Sequence, residues 1–472
     1  MAKKLIKSFN PVDRSILGTV AIDSSPVITK KVENAKKAFM SWSKLSFAER
    51  AVYLNKLADL LDTNVNSLAM LITKEQGKPF FESAAEVVKS AMFLRYFGQK
   101  ASEWLKPEII EDTGDKQVKV IYEPIGVVAA IKPWNMPIQT PIGTIGPALA
   151  AGCTVLLKPS EYSLLVTQAL EKLMMEALPK YVCQVVYGGK DVGTLLLKND
   201  MDMVSFSGSV RTGRIIEKAL AGRLIKKTLE LGGKNPMIVL DDVDIDFAAC
   251  GAVYGCITNC GQRCSSVEAI YVQESIYEKF VEKVVHHVSK LVVGNGLDED
   301  VEVGPLCNKQ QLCIVLDQIT DAVAKGAKIL VGAKTYADER AKGNFVQPGV
   351  LVNLTPDMKI MREETFGPLV CIVSFKSIEE VISKVNAVEY GLGASIFTQN
   401  EKRANEIGHQ IDAGMIWINE PLLASASCPW IVRKASGIGY ELGILGMREF
   451  TEAKLVSEQY SDNGKPRSWW YR

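Results

Sequence analysis

The feature that most constrains the fold of this chain is a series of short apolar runs that alternate with helix-like patterns between residues 126 and 240. Nearly continuous apolar strands that are separated by helices are typical of βαβ units in a parallel sheet covered on both faces. The pattern predicts an α/β fold whose ligands bind at the carboxyl ends of the strands. The runs are residues 127–131, 154–157, 184–187, 203–206 and 237–240.

The flanking regions predict further elements around this sheet. Residues 26–105 have apolar side chains at helical spacing, and Ser46 with Glu49 forms a capping-box pattern at a helix start. Residues 117–122 alternate polar and apolar side chains, which predicts a half-exposed strand. A second α/β region is predicted after residue 241, with helices at 274–293 and 312–324 and strands at 328–331 and 369–375.

The amino-acid composition limits which partners the protein can bind and indicates its cell compartment. The 472 residues suggest two or three domains, and 55 basic against 54 acidic residues give no field that would attract nucleic acid or an anionic membrane. No apolar run approaches the roughly 20 residues that span a bilayer, and the N-terminus lacks the pattern of a secretory signal. We therefore expect a cytoplasmic protein with reduced cysteines.

The cysteines also bear on metal binding. Cys256, Cys260 and Cys264 recur every four residues, which could place three thiols on one helix face. No histidine lies near them and no Cys-x-x-Cys occurs, so we predict no metal site.

A carboxylate and a thiol form the candidate catalytic pair. Glu230 and Cys264 stand 34 residues apart, each beside glycines, and the helix-like segment between them leaves room for the chain to double back. A thiol needs a base or a favourable field to become a nucleophile. The chain has only three histidines, His286, His287 and His409, so Glu230 is the available base.

Two motifs follow predicted strands where a nucleotide would bind. Lys158 and Glu161 come after the run 154–157, and Glu161 could accept ribose hydroxyls while repelling a 2′-phosphate, which favours NAD over NADP. Gly208 and Ser209 lead from a strand into a helix, whose N-terminus can seat a pyrophosphate. The alternative is that the first motif is a solvated Lys-Pro-Ser-Glu turn.

Six short motifs, in this order, identify the chain with a known family. On these residues it resembles the aldehyde dehydrogenase superfamily from Phe9 to about Val456, near the branch of non-acylating succinate-semialdehyde and short aliphatic aldehyde dehydrogenases. The motifs are Pro133-Trp134-Asn135-Met136-Pro137, Lys158-Pro159-Ser160-Glu161, Phe206-Ser207-Gly208-Ser209, Glu230-Leu231-Gly232-Gly233-Lys234, Gly261-Gln262-Arg263-Cys264 and Glu363-Glu364-Thr365-Phe366-Gly367-Pro368.

The resemblance implies an aldehyde dehydrogenase-like fold, with a Rossmann-type cofactor domain, an α/β catalytic domain and a small β oligomerisation hairpin. It further implies a homodimer or homotetramer. The implied boundaries are a cofactor domain at 1–112 and 131–232 with 436–450 returning, a catalytic domain at 233–435, and oligomerisation segments at 113–130 and 451–472.

The resemblance also implies a mechanism. Cys264 would add to an aldehyde, Asn135 and the Cys264 amide would hold the oxyanion, and hydride would pass to NAD or NADP. Glu230 would then activate water to hydrolyse the thioester to a carboxylic acid. From the residues alone, Asn135 could instead shape an Asx-turn, and Glu363 with Glu364 could be a solvated charge pair. The implied cofactor-binding residues are Trp134, Lys158, Ser160, Glu161, Gly208, Ser209, Leu231, Gly232, Glu364 and Phe366.

Several positions depart from the family pattern. Many members have a lysine nine residues after the asparagine, thought to relay a proton with a glutamate near the C-terminus; here Thr144 stands at the first position while Glu441 matches the second. The segment 429–437 loses the usual glycines and gains bulk, which predicts a different path and a narrower substrate entrance.

The substrate is inferred from two missing arginines. Succinate-semialdehyde members commonly have arginines where this chain has Gly143 and Ala269. An unpaired carboxylate in a closed pocket is unfavourable, so we expect a short uncharged or hydroxylated aliphatic aldehyde. Succinate semialdehyde is the alternative if Arg263, Arg433 or Lys434 replaces the missing arginines. A non-catalytic nucleotide-binding protein is a third possibility, which the presence of both Cys264 and Glu230 opposes.

Overall fold

The computed structural model describes residues 4–114, 116–421 and 423–459. The N-terminal helices form as predicted, and Ser46 caps the second helix through the capping box with Glu49. The helices are α1 (Ser25–Trp42), α2 (Phe47–Thr63), α3 (Val65–Gln76), α4 (Phe80–Trp104), α5 (Gln139–Ala151), α6 (Leu164–Ala177), α7 (Lys190–Leu197), α8 (Val210–Leu220), α9 (Ile245–Ile257), α10 (Tyr277–Lys290), α11 (Lys309–Ala324), α12 (Lys359–Arg362), α13 (Ile378–Asn386), α14 (Glu401–Gly408) and α15 (Gly443–Glu449).

The strands group into two large sheets, one three-stranded sheet and several two-stranded pairs. The strands are β1 (Leu5–Phe9), β2 (Ile16–Ala21), β3 (Glu108–Asp112), β4 (Lys116–Pro124), β5 (Val127–Ile131), β6 (Thr154–Lys158), β7 (Cys183–Val185), β8 (Met203–Ser207), β9 (Lys226–Glu230), β10 (Asn235–Val239), β11 (Val267–Gln273), β12 (Lys328–Val331), β13 (Gly349–Val352), β14 (Leu369–Phe375), β15 (Tyr390–Gly391), β16 (Gly393–Phe397), β17 (Met415–Ile418), β18 (Trp430–Ile431), β19 (Arg433–Lys434), β20 (Gly437–Ile438), β21 (Tyr440–Glu441) and β22 (Thr451–Gln459).

The first large sheet has the order β20-β9-β8-β5-β6-β7. Its neighbours from β9 to β7 are parallel, and β20 joins antiparallel to β9. Strands β5, β6 and β8 are buried along their whole length because helices cover both faces of the sheet. The parallel sheet was predicted correctly, but the apolar run at 237–240 belongs elsewhere; β9 lies next to β8, and β20 is the edge strand beyond it.

The second large sheet has the order β12-β13-β14-β11-β10-β16-β17. It is parallel except for the pair β12 and β13. The run predicted at 237–240 is β10 here, between β11 and β16. Only four residues, from Leu231 to Lys234, connect β9 in the first sheet to β10 in the second. The two sheets therefore meet at the glycine-rich segment that follows Glu230.

The three-stranded sheet has the order β22-β4-β3. Strand β22 pairs antiparallel with β4 from Thr451 opposite Pro124 to Gln459 opposite Lys116. Leu455, Ile109 and Ile110 of this sheet are exposed. The rest of the predicted segment 451–472, from residue 460 on, lies outside the described residues. Among the described residues, no helix combines the length and the apolar character needed to cross a membrane.

Candidate active site

A cavity of about 570 Å³ lies where the carboxyl ends of the first sheet face the second sheet. Parallel strands end at the same edge, so the segments that follow β5, β8 and β9 all reach it. Ten of the predicted site residues line this cavity, whereas Lys158, Ser160 and Glu161 are not part of its wall. The ten are Trp134, Asn135, Gly208, Ser209, Glu230, Leu231, Gly232, Cys264, Glu364 and Phe366.

A strained turn places Cys264 in the cavity. Helix α9 ends at Ile257, and Asn259, Cys260 and Gly261 follow with φ values of 55°, 56° and 70°. Left-handed backbone is unfavourable for residues with a Cβ, so the surroundings must hold it. The Asn259 side chain does so by donating to the carbonyls of Asn135 (3.0 Å) and Gln262 (3.1 Å).

The same contacts orient Asn135. Its side-chain amide donates to the Gln262 carbonyl at 2.9 Å, and the residue is buried. Gln76 of α3 donates in turn to the Asn259 side chain at 2.8 Å. A side-chain amide has two N–H donors, so one remains for an oxygen atom in the cavity. Asn135 is therefore a buried donor in the wall of the cavity that also contains Cys264.

The cavity does not favour a free thiolate at Cys264. Burial raises the pKa of this thiol to about 12; Glu364 and Glu230 add to the increase, and the Arg263 guanidinium opposes it. A thiol of this kind is protonated near neutral pH and needs a base to react.

Glu230 is a buried carboxyl group with no hydrogen-bond partner. It is the last residue of β9, it is 7% exposed, and neither side-chain oxygen has a partner in the described part of the chain. Burial raises its pKa well above the usual range, the nearby Glu441 raises it further, and the Lys132 ammonium lowers it. Buried polar groups are nearly always paired, so the two oxygens of Glu230 are available to a water molecule or a ligand.

Lys132, whose charge acts on Glu230, was not among the predicted site residues. Its ammonium pairs with Glu441 at 2.6 Å, and the lysine side chain is completely buried. The sequence signal was a lysine placed directly after the apolar strand β5 and directly before the Pro-Trp-Asn motif. A charged residue at the carboxyl end of a buried strand faces the site edge of the sheet.

The loop with Glu364 and Phe366 is held by a second buried ion pair. Glu268 of β11 accepts from the Lys234 ammonium at 2.6 Å, from the Thr365 N–H at 2.7 Å and from the Phe366 N–H at 2.9 Å. Phe366 has a φ of 53° and packs edge-on against Trp134, with ring centroids 5.7 Å apart. The alternative of a solvated charge pair at 363–364 does not hold for Glu364, which lines the cavity and accepts from the Gly233 N–H at 3.1 Å.

The wall formed by β8 and α8 suits a dinucleotide. Ser209 caps α8 and its side chain accepts from the Thr212 N–H, so the helix N-terminus opens at the cavity wall. Helix N-termini bind phosphate groups through unpaired N–H donors. Gly232 completes the wall, because a Cβ there would lie 2.4 Å from Glu364 Oε2. These residues fit a bound pyrophosphate and its neighbouring groups.

Comparison with known proteins decides the family. A model of the aldehyde dehydrogenase family matches residues 1–456. The chain belongs to the aldehyde dehydrogenase family. The family confirms the predicted enzyme class, the oxidation of an aldehyde with NAD or NADP, and the predicted fold.

Three relatives show how close the match is. The glutarate-semialdehyde dehydrogenase of Pseudomonas aeruginosa is 38% identical over 96% of this chain and 93% of its own length. The NADP+ succinate-semialdehyde dehydrogenase of Escherichia coli is 37% identical over 95% of this chain and 93% of its own. The betaine aldehyde dehydrogenase of Staphylococcus aureus, solved with NAD+, has a TM-score of 0.94 at 33% identity, covering 99% of this chain and 94% of that one.

In this aldehyde dehydrogenase the Lys-Pro-Ser-Glu motif lies at the end of β6, outside the cavity wall. Lys158 ends β6, which is next to β5 in the first sheet, and its ammonium donates to the Pro159 carbonyl at 2.8 Å. Burial lowers the Lys158 pKa, and Glu161 opposes that change. Ser160 is buried and accepts from the Tyr162 N–H at 3.3 Å. The turn is thus mostly buried, with only Glu161 partly exposed, and a wholly solvated turn is wrong.

On the substrate side of the enzyme's cavity, the different path and narrower entrance predicted for residues 429–437 stay predictions. Trp430 lies in the wall and packs against Trp417. Arg433 and Lys434 pair with Asp412 and do not line the cavity. Gly143 lines the cavity. Of the three candidate replacement cations, only Arg263 is in the wall.

A group of possible metal ligands lies elsewhere in the enzyme. Asp246, Cys250 and His287 each place one ligand atom within 4.8 Å of the others at the surface where α9 meets α10. The Lys283 ammonium already pairs with Asp246 at 3.1 Å. The absence of a metal site at Cys256, Cys260 and Cys264 stays a prediction.

Proposed function

We propose that the enzyme oxidises a short aldehyde to its carboxylic acid, with Cys264 as nucleophile, Glu230 as general base and Asn135 as oxyanion donor. The observation that supports this most is the buried Glu230 carboxyl, whose two oxygens have no partner in the described residues, in the wall of the cavity that also contains Cys264. A structural carboxylate at that depth would be paired.

The first step is addition of the Cys264 sulfur to the aldehyde carbon. Because burial raises the Cys264 pKa to about 12, the thiol must lose its proton as it attacks, and Glu230 is the neighbouring acceptor. The carbonyl oxygen becomes negative and receives the remaining Asn135 N–H together with the Cys264 backbone N–H. Removing one such donor lowers rates by about 10² to 10³ in other enzymes.

The dinucleotide would lie along the wall that begins at Ser209 and ends at Phe366. When bound, its oxidised nicotinamide ring accepts a hydride. Ser209 and the first turn of α8 would hold the pyrophosphate, Glu364 a ribose, and the Trp134 and Phe366 rings would border the nicotinamide. Gly208, Leu231 and Gly232 would form the backbone of this wall.

Hydrolysis completes the reaction at Glu230. Loss of hydride leaves an acyl thioester on Cys264, and a water hydrogen-bonded to Glu230 would attack it, giving the acid and the free thiol. A carboxyl group with both oxygens open to a water molecule supports water as the acyl acceptor, in preference to coenzyme A.

For the cofactor, NAD is proposed over NADP because Glu161 is partly exposed beside the wall and would repel a 2′-phosphate. Replacing Glu161→Gln should improve kcat/KM with NADP relative to NAD by about tenfold. Asp191, at the start of α7, provides a matched control as Asp191→Asn, which should leave that ratio unchanged. An unaltered ratio in Glu161→Gln would remove the argument for NAD.

For the substrate, a short uncharged or hydroxylated aldehyde is proposed because Gly143, Phe93, Trp430 and Leu442 give the wall a largely apolar character. A carboxylated semialdehyde is the second candidate. Arg263 lies in the wall, and two of the relatives above act on semialdehydes. A panel of alkanals, hydroxyaldehydes and semialdehydes would separate the two, since only the second predicts that Arg263→Gln raises KM selectively for the carboxylated compounds.

For the architecture, the first sheet with its helices is proposed as the cofactor domain, at 1–112, 131–232 and 436–450, and the second sheet as the catalytic domain, at 233–435. Segments 113–130 and 451–472 are proposed to mediate a homodimer or homotetramer, supported by the exposed apolar residues of the three-stranded sheet. The cytoplasmic location stays a prediction.

The test of this function is Cys264→Ala. It should abolish NADH formation, a loss of at least about 10³-fold, while Cys313→Ala, at an exposed cysteine outside the cavity, should keep wild-type rates. Wild-type enzyme should release free acid without coenzyme A. NADH formation that survives in Cys264→Ala would contradict the proposal.

A further inference from the structure

A buried cluster of charged and hydroxyl groups lies behind Glu230. Its centre is the ion pair of Lys132 and Glu441, which we call the Lys132–Glu441 pair. Lys132 follows β5 and Glu441 ends β21, so two distant parts of the chain form it. Burying such a pair is unfavourable unless its hydrogen bonds are made.

Every hydrogen-bond donor of the Lys132 ammonium group has an acceptor. Lys132 Nζ donates to Glu441 Oε1 at 2.6 Å, to Ser205 Oγ at 3.0 Å and to Ser207 Oγ at 2.9 Å. An ammonium group has three N–H donors, so all are used. The charge is therefore fixed in one position and cannot turn towards solvent.

The glutamate end faces the reaction cavity. Glu441 Oε1 also accepts from Thr144 at 3.1 Å and from Ser205 at 3.3 Å, and Glu441 lines the cavity together with Glu230. The strand register places Ser207, a ligand of the ammonium, directly opposite Glu230 on β8 and β9. The pair thus sits immediately next to the base.

The charges around Glu230 oppose one another. Glu441 and Glu449 disfavour a negative charge on it, Lys132 favours one, and Cys264 shares the cavity. Without the lysine, a buried carboxyl beside a carboxylate would keep its proton, since like charges close together cannot both ionise easily. A protonated Glu230 cannot take a proton from water.

We propose that Lys132 and Glu441 are positioning residues that set the charge state of Glu230. Lys132 promotes the ionised base, and Glu441 opposes its ionisation. The inference rests on the proposed function of Glu230. It assigns Lys132 and Glu441 no contact with substrate. The proposal predicts that removal of Lys132 and removal of Glu441, in separate variants, shift the pH dependence of thioester hydrolysis in opposite directions.

The experiment measures hydrolysis apart from oxidation. With p-nitrophenyl acetate and no dinucleotide, the Cys264 thiol takes the acetyl group and releases p-nitrophenol in a burst, after which steady turnover reports hydrolysis of the thioester. We expect the acid-side midpoint of this turnover to rise by about one pH unit in Lys132→Met and to fall by about one unit in Glu441→Gln. The charge-neutral double variant should lie between them.

The controls separate this effect from damage to the fold. Lys78→Met breaks another buried ion pair, with Glu86 at 2.5 Å, and should lower thermal stability without moving the midpoint. If Lys132→Met does not fold, the downward shift in Glu441→Gln still tests the proposal. Midpoints that move in the same direction, or not at all, in both single variants would overturn it. A burst that persists in Cys264→Ala would instead contradict the proposed nucleophile.

Discussion

Two buried glutamates at the meeting point of the sheets differ in how they are paired. Glu268 is 5% exposed and receives the Lys234 ammonium and the N–H groups of Thr365 and Phe366. Glu230 is 7% exposed and receives no hydrogen bond in the described residues. The two have similar burial, so the difference lies in the partners.

The difference indicates opposite roles. A buried carboxylate with an ammonium and two N–H donors stabilises the loop that holds them. A buried carboxyl without partners lowers stability and is retained where a reaction needs it. The proposed roles are thus a structural one for Glu268 and a chemical one for Glu230.

Of the two glutamates, Glu230 should show the larger effect on the rate when it is replaced by glutamine. We expect kcat to fall by about 10² to 10⁴ because the amide cannot accept a proton from water. The free energy of unfolding should stay the same or increase, since an ionisable group leaves a buried position. Steady-state NADH formation and thermal denaturation on the same preparation would check both. A large loss of stability with little loss of rate would contradict the chemical role proposed for Glu230.

Glu268→Gln should show the opposite pattern. The Lys234 ammonium would remain buried without its counter-charge, so we expect the free energy of unfolding to fall by about 3 kcal/mol. Loosening of residues 364–366 should raise the KM for the dinucleotide more than it lowers kcat. Chemical denaturation and kinetics with varied dinucleotide would measure these. The matched change Glu86→Gln, in another buried ion pair, should lower stability without that KM effect.

The smallest effect is the pH dependence of stability from Glu230. Its pKa in the folded protein is raised above the usual value of 4.5. Below pH 4.5 the folded and the unfolded protein both hold the proton. As the pH rises from there towards the folded-state pKa, only the unfolded protein releases it. The stabilising contribution is therefore lost with rising pH, by about 1.4 kcal/mol per unit. Over this pH range, denaturation curves should show that the free energy of unfolding of the wild type falls relative to that of Glu230→Gln. A constant difference between the two proteins would show that the carboxyl is paired.

Much of the fold and of the site could be predicted from local patterns. The apolar runs at 127–131 and 154–157 are strands of the first sheet, and the capping box at Ser46 starts a helix. Ten predicted residues line one cavity: seven belong to motifs at the ends of β5, β8 and β9, and Cys264, Glu364 and Phe366 lie in loops that precede β11 and β14. The assignment of 237–240 to the first sheet was wrong, since a buried strand has the same composition in either sheet.

What the sequence could not supply was the partner of Glu441. Thr144 at the expected lysine position left Glu441 without an identified cation, and Lys132 offered only a position before the Pro-Trp-Asn motif. The two residues of the pair lie 309 positions apart. No local periodicity connects residues at that distance, whereas the register of β5, β8 and β9 places Lys132 beside Ser207 and Glu230.

The family, the enzyme class and the kinds of side chain available for chemistry could be predicted from the sequence, because each depends on motifs only a few residues long. Which charges surround Glu230, and which of the two buried glutamates has no hydrogen-bond partner among the described residues, became known only from the folded structure. A carboxyl's proton affinity depends on burial and on charges within a few ångströms, and those distances exist only after distant strands have been brought to one edge.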